Sequence, residues 1–105
     1  MNIPYISAEE VRKNLSMEDA IQCTENVYKL KSQDKTVVWP TIFYEFDPGH
    51  ADMDIKSGYL PEQHIFGHKT VAFMEANVQK GLPDLVGLIA VCSSETGMPL
   101  GLVEG

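Results

Sequence analysis

Apolar positions recur along this chain with two different periods, and the change from one to the other falls near Thr36. Before it, YISAEEVRKNLSMEDAIQCTENVYKLKSQDK predicts a short strand followed by two helices. Ser7 with Glu10 three residues on, and Ser16 with Asp19, each carry an N-cap signature, in which a hydroxyl satisfies an otherwise orphaned backbone N–H. Met17, Ala20, Ile21, Thr24, Val27, Tyr28 and Lys31 then fall on one face of a helix predicted over about 17–32. Glu18, Gln22, Glu25 and Lys29 occupy the solvent side. The apolar face is expected to pack on something.

After Thr36 the texture becomes β-branched and aromatic. TVVWPTIFYEF predicts a strand interrupted at Pro40, which has no N–H to give a ladder, and DPGH predicts a turn built on Pro48 and Gly49. Strands are then expected at MDIKSGYL (53–60), IFGHKTVAFM (65–74) and LVGLIAVCS (85–93). SSETGMP should fold the last of these back onto LGLVEG as an antiparallel hairpin. The expected class is α+β, with the N-terminal helices packed on a mixed, largely antiparallel sheet.

With 105 residues, this is a single domain over 1–105. An apolar fraction of 44% argues for a folded chain with its own core. Lys and Arg number 8 against 15 Asp and Glu, a net charge of −7 that disfavours nucleic acid and anionic membrane surfaces as partners. Cys23 and Cys92 show no paired or metal-ligand spacing and read as reduced thiols. The absence of a signal-like or membrane-length apolar run makes a cytoplasmic location the expectation. LGLVEG is apolar enough for an interior strand, so the chain is expected to be a fragment of something longer.

YISAEEVRKNLSMEDAIQCTENVY, GHKTVAF and, above all, KGLPDLVGLIAVCSSETGMPLGLVEG resemble the N-terminal part of the ornithine cyclodeaminase / mu-crystallin family. The resemblance implies a two-part protein. One part supplies substrate contacts and the dimer interface, and a following Rossmann domain binds NAD or NADP. It also implies hydride transfer between a nicotinamide and the α-carbon of an amino or imino acid, with lyase or oxidoreductase outcomes. This chain carries no GxGxxG after a strand, so it is expected to bind no cofactor alone and to be inactive by itself. The alternative is a stand-alone, non-catalytic module for dimerisation or small-molecule binding, which an apolar sheet edge would suit.

By the same resemblance Lys69 matches the active-site lysine that pairs with the substrate carboxylate. A lysine on a mostly apolar strand is costly to bury unless an anion meets it, which fits that role; a solvated strand lysine is the plainer reading. Where members of the family place an Arg after the proline of the segment like VVWPTIFYEF, this chain has Thr41, and where some carry a Thr near the substrate it has Asp84. Thr41, Asp84 and Lys56 complete the candidate substrate contacts, Asp84 standing equally well as a turn residue beside Pro83. Asp47, His50, Asp52 and Asp54 offer the donor types of a metal site, but a strand would send Asp52 and Asp54 to one face with no third fixed ligand, and no metal is expected. His64 and His68 lack the helical context of a zinc pair. The aromatic run Trp39, Phe43, Tyr44 and Phe46 is expected to pack in a core or dimer interface.

Overall fold

The computed structural model describes all residues from Met1 to Gly105. The order of elements is β1 (Tyr5–Ile6), α1 (Ala8–Asn14), α2 (Met17–Ser32), β2 (Val37–Val38), β3 (Ile42–Asp47), β4 (Ala51–Leu60), β5 (Ile65–Met74), β6 (Leu85–Ser93) and β7 (Pro99–Glu104). Short 3-10 turns at Pro61–Gln63 and Glu75–Lys80 follow β4 and β5. Both helix starts are built as their sequences specify. The Ser7 hydroxyl accepts the Glu10 N–H at 3.2 Å, and the Ser16 hydroxyl accepts that of Asp19 at 3.0 Å. The side chain of Glu10 accepts from the Ser7 hydroxyl at 3.3 Å.

The seven strands form one sheet in the order β1-β7-β6-β5-β4-β2, with β3 also on β4. All pairings are antiparallel except that of β1 with β7. The sheet is therefore mixed and largely antiparallel, the class read from the sequence. The strand predicted through Pro40 is broken there into β2 and β3, and the DPGH turn has Gly49 at φ 81°. Gly97, at φ 75°, turns β6 into β7.

Register sorts the side chains onto two faces, because successive residues of a strand alternate. Lys56 is level with Lys69, Asp54 with Val71, Gly58 with Gly67, and Lys69 with Ile89. These residues share one face. The other carries Ile42, Tyr44, Met53, Ile55, Phe66, Ala72, Val86, Leu88 and Ala90, and between β3 and β6 its one Lys, Arg, Asp or Glu is Asp47, at the far end opposite Ala51.

The core expected from composition does not form within this chain: none of the 105 residues is fully buried. A single-layer sheet has two faces, and two helices totalling fewer residues than the strands cannot cover both. The stripe on α2 that was expected to pack is left open as well, with Ile21 60% and Tyr28 67% exposed. Its Cys23–Lys31 stretch lines an apolar groove against Val37, Val38, Tyr59 and Leu60, so the helix lies at the β2 end of the sheet. A folded monomer of this mass exposes roughly 5,900 Å². This chain exposes 7815 Å². Its radius of gyration is 15.6 Å, against about 13 Å for a compact domain of the same length.

Candidate substrate site on the sheet

Lys69 sits in the middle of β5 and Lys56 in the middle of β4, and the antiparallel register sets them directly opposite each other. Directly opposed side chains have Cβ atoms about 4.5–5.5 Å apart, and like charges in that position repel. Neither lysine has a carboxylate partner: the ion pairs of the chain are Glu9–Lys13, Glu25–Lys29, Lys35–Glu62, His50–Glu75 and His64–Glu95. Both lysines are exposed, so the burial foreseen for Lys69 is not found within this chain. Beside them the Gly58–Gly67 pair offers bare backbone, and a shallow depression of about 300 Å³ is lined by Lys56, Gly58, Gly67, Lys69, Ile89 and Val91. Two ammonium groups over an open, uncluttered floor make an anion-accepting surface.

The other candidates take different places. Thr41 immediately precedes Ile42, whose partner is Ile55, so Thr41 lies level with Lys56 at the entry to β3. Asp84 lies just before β6, at the far end of the β5–β6 hairpin, where its carbonyl accepts the Met74 N–H at 2.7 Å. Five residues separate it from Ile89 on the lysine row, roughly 16 Å along the strand. The sheet thus joins Lys56, Lys69 and Thr41 in one region and leaves Asp84 outside it.

Asp47, His50, Asp52 and Asp54 do not converge. His50 pairs with Glu75 at the other end of β4, and its carbonyl accepts the Glu75 N–H at 2.9 Å. The hydrogen bond to Glu75, reinforced by the charges of Glu75 and Asp47, holds the His50 imidazole above its ordinary pKa. Asp54 lies on the lysine face, two residues before Lys56, and its Oδ1 is buried without a hydrogen-bond partner. Sequence reading considered Asp54 only as a metal ligand; its relation to Lys69 depends on a strand register that spacing does not display.

The residues present do not fit a dinucleotide. A pyrophosphate needs a free helix N-terminus reached through a glycine-rich turn. The N-terminus of α1 is already met by an anion, because Glu104 Oε2 accepts the Ala8 N–H at 2.7 Å. The first turn of α2 contains Glu18 and Asp19, and no glycine precedes either helix. No helix is long and apolar enough to cross a membrane.

An α+β chain with a seven-stranded mixed sheet and an opposed lysine pair at its centre is thereby defined. The profile of the ornithine cyclodeaminase/mu-crystallin family matches residues 4–105, and the chain belongs to that family. It is 28% identical to an alanine dehydrogenase of Archaeoglobus fulgidus over 107 residues, covering 99% of this chain and 31% of that protein. Among solved structures, it is similar to an archaeal alanine dehydrogenase dimer with bound NAD, with a TM-score of 0.88 and 29% identity, covering 99% of this chain and 31% of that one. It is also similar to the Δ1-pyrroline-2-carboxylate reductase of Thermococcus litoralis in complex with NADH and L-proline. There the TM-score is 0.88 and the identity 25%, over 98% of this chain and 32% of that one. The chain thus spans about a third of the length of the relatives it matches.

Proposed function

We propose that this chain is the substrate-binding and dimerisation part of an NAD(P)-dependent enzyme that acts on an amino or imino acid. The observation that carries this reading is the unpaired Lys56–Lys69 row in a chain belonging to this family. Two ammonium groups set opposite each other repel until an anion bridges them, and a substrate carboxylate is such an anion. Lys69 is assigned the role of holding that carboxylate and assisting proton transfer near the reacting carbon. Lys56 and Thr41 border the same region, whereas Asp84 contributes only if another segment brings the substrate to its end of the hairpin.

The cofactor is assigned to a segment other than this one, in keeping with helix N-termini that are already capped by side chains. That NAD is bound by the archaeal alanine dehydrogenase and NADH by the pyrroline-carboxylate reductase supports nicotinamide chemistry for the whole protein. When bound there, a nicotinamide supplies or accepts the hydride; the residues of this chain bind and orient the acid.

A second copy of the chain is the occupant proposed for the face carrying Ile42, Tyr44, Val86 and Leu88. Relative to a compact monomer the chain exposes an excess of about 1,900 Å². Two copies together carry about twice that excess, roughly 3,800 Å², on the scale of the large interfaces of about 2,000–5,000 Å² in total. The largely apolar character of this face suits a contact between copies, and the archaeal relative is a dimer.

The test is the product of the natural gene. The expected result is a protein about three times the length of this chain, with a GxGxxG-type segment downstream. Its NAD(P)-linked turnover of an amino or imino acid should be lost in Lys69→Ala. A natural product with the 11.7 kDa mass of this chain would remove the enzyme reading and leave a stand-alone dimerising or ligand-binding module.

A further inference from the structure

Asp54 is the one side chain in the structure with a buried polar atom and no hydrogen-bond partner. A carboxylate oxygen removed from water and left unpaired carries a desolvation penalty, so such a group calls for a partner. Its position narrows what that partner is. On β4 it precedes Lys56 by two residues, which places both on one face. Across the ladder it is level with Val71, which makes it the diagonal neighbour of Lys69. Diagonal positions lie roughly 7–8 Å apart, within reach of long side chains. Even so, Asp54 forms no ion pair with either lysine.

The cluster therefore consists of the two lysines and the nearest carboxylate, Asp54, unpaired with one another, with Asp52 on the same face one step further along β4. A simple carboxylate satisfies only the lysines and leaves Asp54 as it is. A zwitterion with its ammonium one carbon from its carboxylate satisfies all three, the carboxylate bridging the lysines and the ammonium donating to Asp54. The flexible four-carbon stems of the lysines allow them to converge on such a ligand while the short Asp side chain stays fixed.

We propose that Asp54 is a specificity-determining residue that binds the α-ammonium group of the substrate, so that the Lys56–Lys69 site selects α-amino acids over the corresponding carboxylic acids. This rests on the reading of the lysine pair as a carboxylate site and adds the group that recognises the other charge. By the same logic, an imino acid protonated on nitrogen is accepted and a keto or hydroxy acid is discriminated against.

The test is calorimetric titration of the purified protein at its native length with L-alanine, propionate and N-acetyl-L-alanine. The wild type is expected to bind L-alanine at least tenfold more tightly than propionate or the N-acetylated compound, whose nitrogen carries no charge. Asp54→Asn, isosteric and uncharged, should abolish that preference by weakening L-alanine at least fivefold while leaving propionate unchanged or tighter. Lys69→Met should weaken L-alanine and propionate alike. If N-acetyl-L-alanine binds the wild type as tightly as L-alanine, or Asp54→Asn leaves the ratio of L-alanine to propionate intact, Asp54 does not read the amine and this proposal fails while the carboxylate site stands. If the wild type binds neither L-alanine nor propionate, the carboxylate site falls and Asp54 loses its role with it.

Discussion

Lys56 and Lys69 face each other across the β4–β5 ladder without a carboxylate partner, the arrangement a sheet adopts least willingly. It weakens the fold, and on the proposed reading it is a place where function outweighs stability. Lys56→Thr is expected to raise stability by a few tenths of a kcal/mol, the repulsion being screened at these exposed positions. The same variant should lose most of its affinity for carboxylate ligands. Urea unfolding and calorimetric titration of one preparation check both halves; an unchanged affinity for carboxylates would show that Lys56 stands outside the site.

The floor of that site makes a second demand. A Cβ on Gly67 would lie 2.5 Å from the Ala90 carbonyl oxygen, and one on Gly58 would lie 2.7 Å from that of Val37. Both obstacles are backbone, so neither can turn aside. Gly67→Ala is expected to cost on the order of 1–3 kcal/mol by forcing β5 and β6 apart next to Lys69. The denaturant midpoint should fall accordingly, and a variant as stable as the wild type would mean that the strands separate at no cost.

Most of the strands and both helices could be read from the sequence because each announces itself locally. Ile65–Met74 and Leu85–Ser93 are bounded by turn residues, and Met17–Ser32 by a serine cap and a polar end. The 3-10 turn Glu75–Lys80 and the parallel pairing of β1 with β7 were not legible. The first lacks a periodic pattern, and the second joins segments nearly a chain length apart. Lys69 was found through the family motif GHKTVAF. The nearness of Asp54 to the lysines was not legible because it depends on register: only the Lys56–Lys69 and Asp54–Val71 pairings make it the diagonal neighbour of Lys69. The apolar content, taken as evidence of a core, instead lies on open faces. Composition counts apolar residues and does not say whether this chain alone brings two layers of them together.

The His50–Glu75 pair predicts a pH dependence of stability. Its folded-state pKa is raised, first by the hydrogen bond to Glu75 and then by the charges of Glu75 and Asp47. A raised histidine favours the folded state most where both states bind the proton, below the unfolded value of about 6.5. That contribution is lost as the pH climbs through the higher folded value. The wild type should therefore lose more of its urea midpoint between pH 6 and pH 9 than His50→Asn, and Glu75→Gln should behave like the histidine variant. Parallel pH profiles for all three would show that the pair does not couple protonation to folding.

The face opposite the lysines yields the last prediction. Leu88 is 41% exposed at the centre of β6, among Val86, Ala90 and the uncharged residues of β5, with Glu104 of β7 level with it on the same face. Exposed apolar surface of this extent on a sheet is stable in water only when something covers it. If a second copy does so, Leu88→Lys buries an ammonium in an interface whose nearest carboxylate, Glu104, is already held by the Ala8 N–H. The expected loss is at least about 2 kcal/mol, roughly a thirtyfold weaker self-association. Sedimentation over a concentration series should show the wild type as a dimer and the variant shifted towards monomer, with an unchanged circular dichroism spectrum because the substituted position faces away from the ladder. A variant that sediments as the wild type does would place the dimer contact elsewhere. In that event Tyr28 and Ile21 on α2, 67% and 60% exposed, are the next surface to alter.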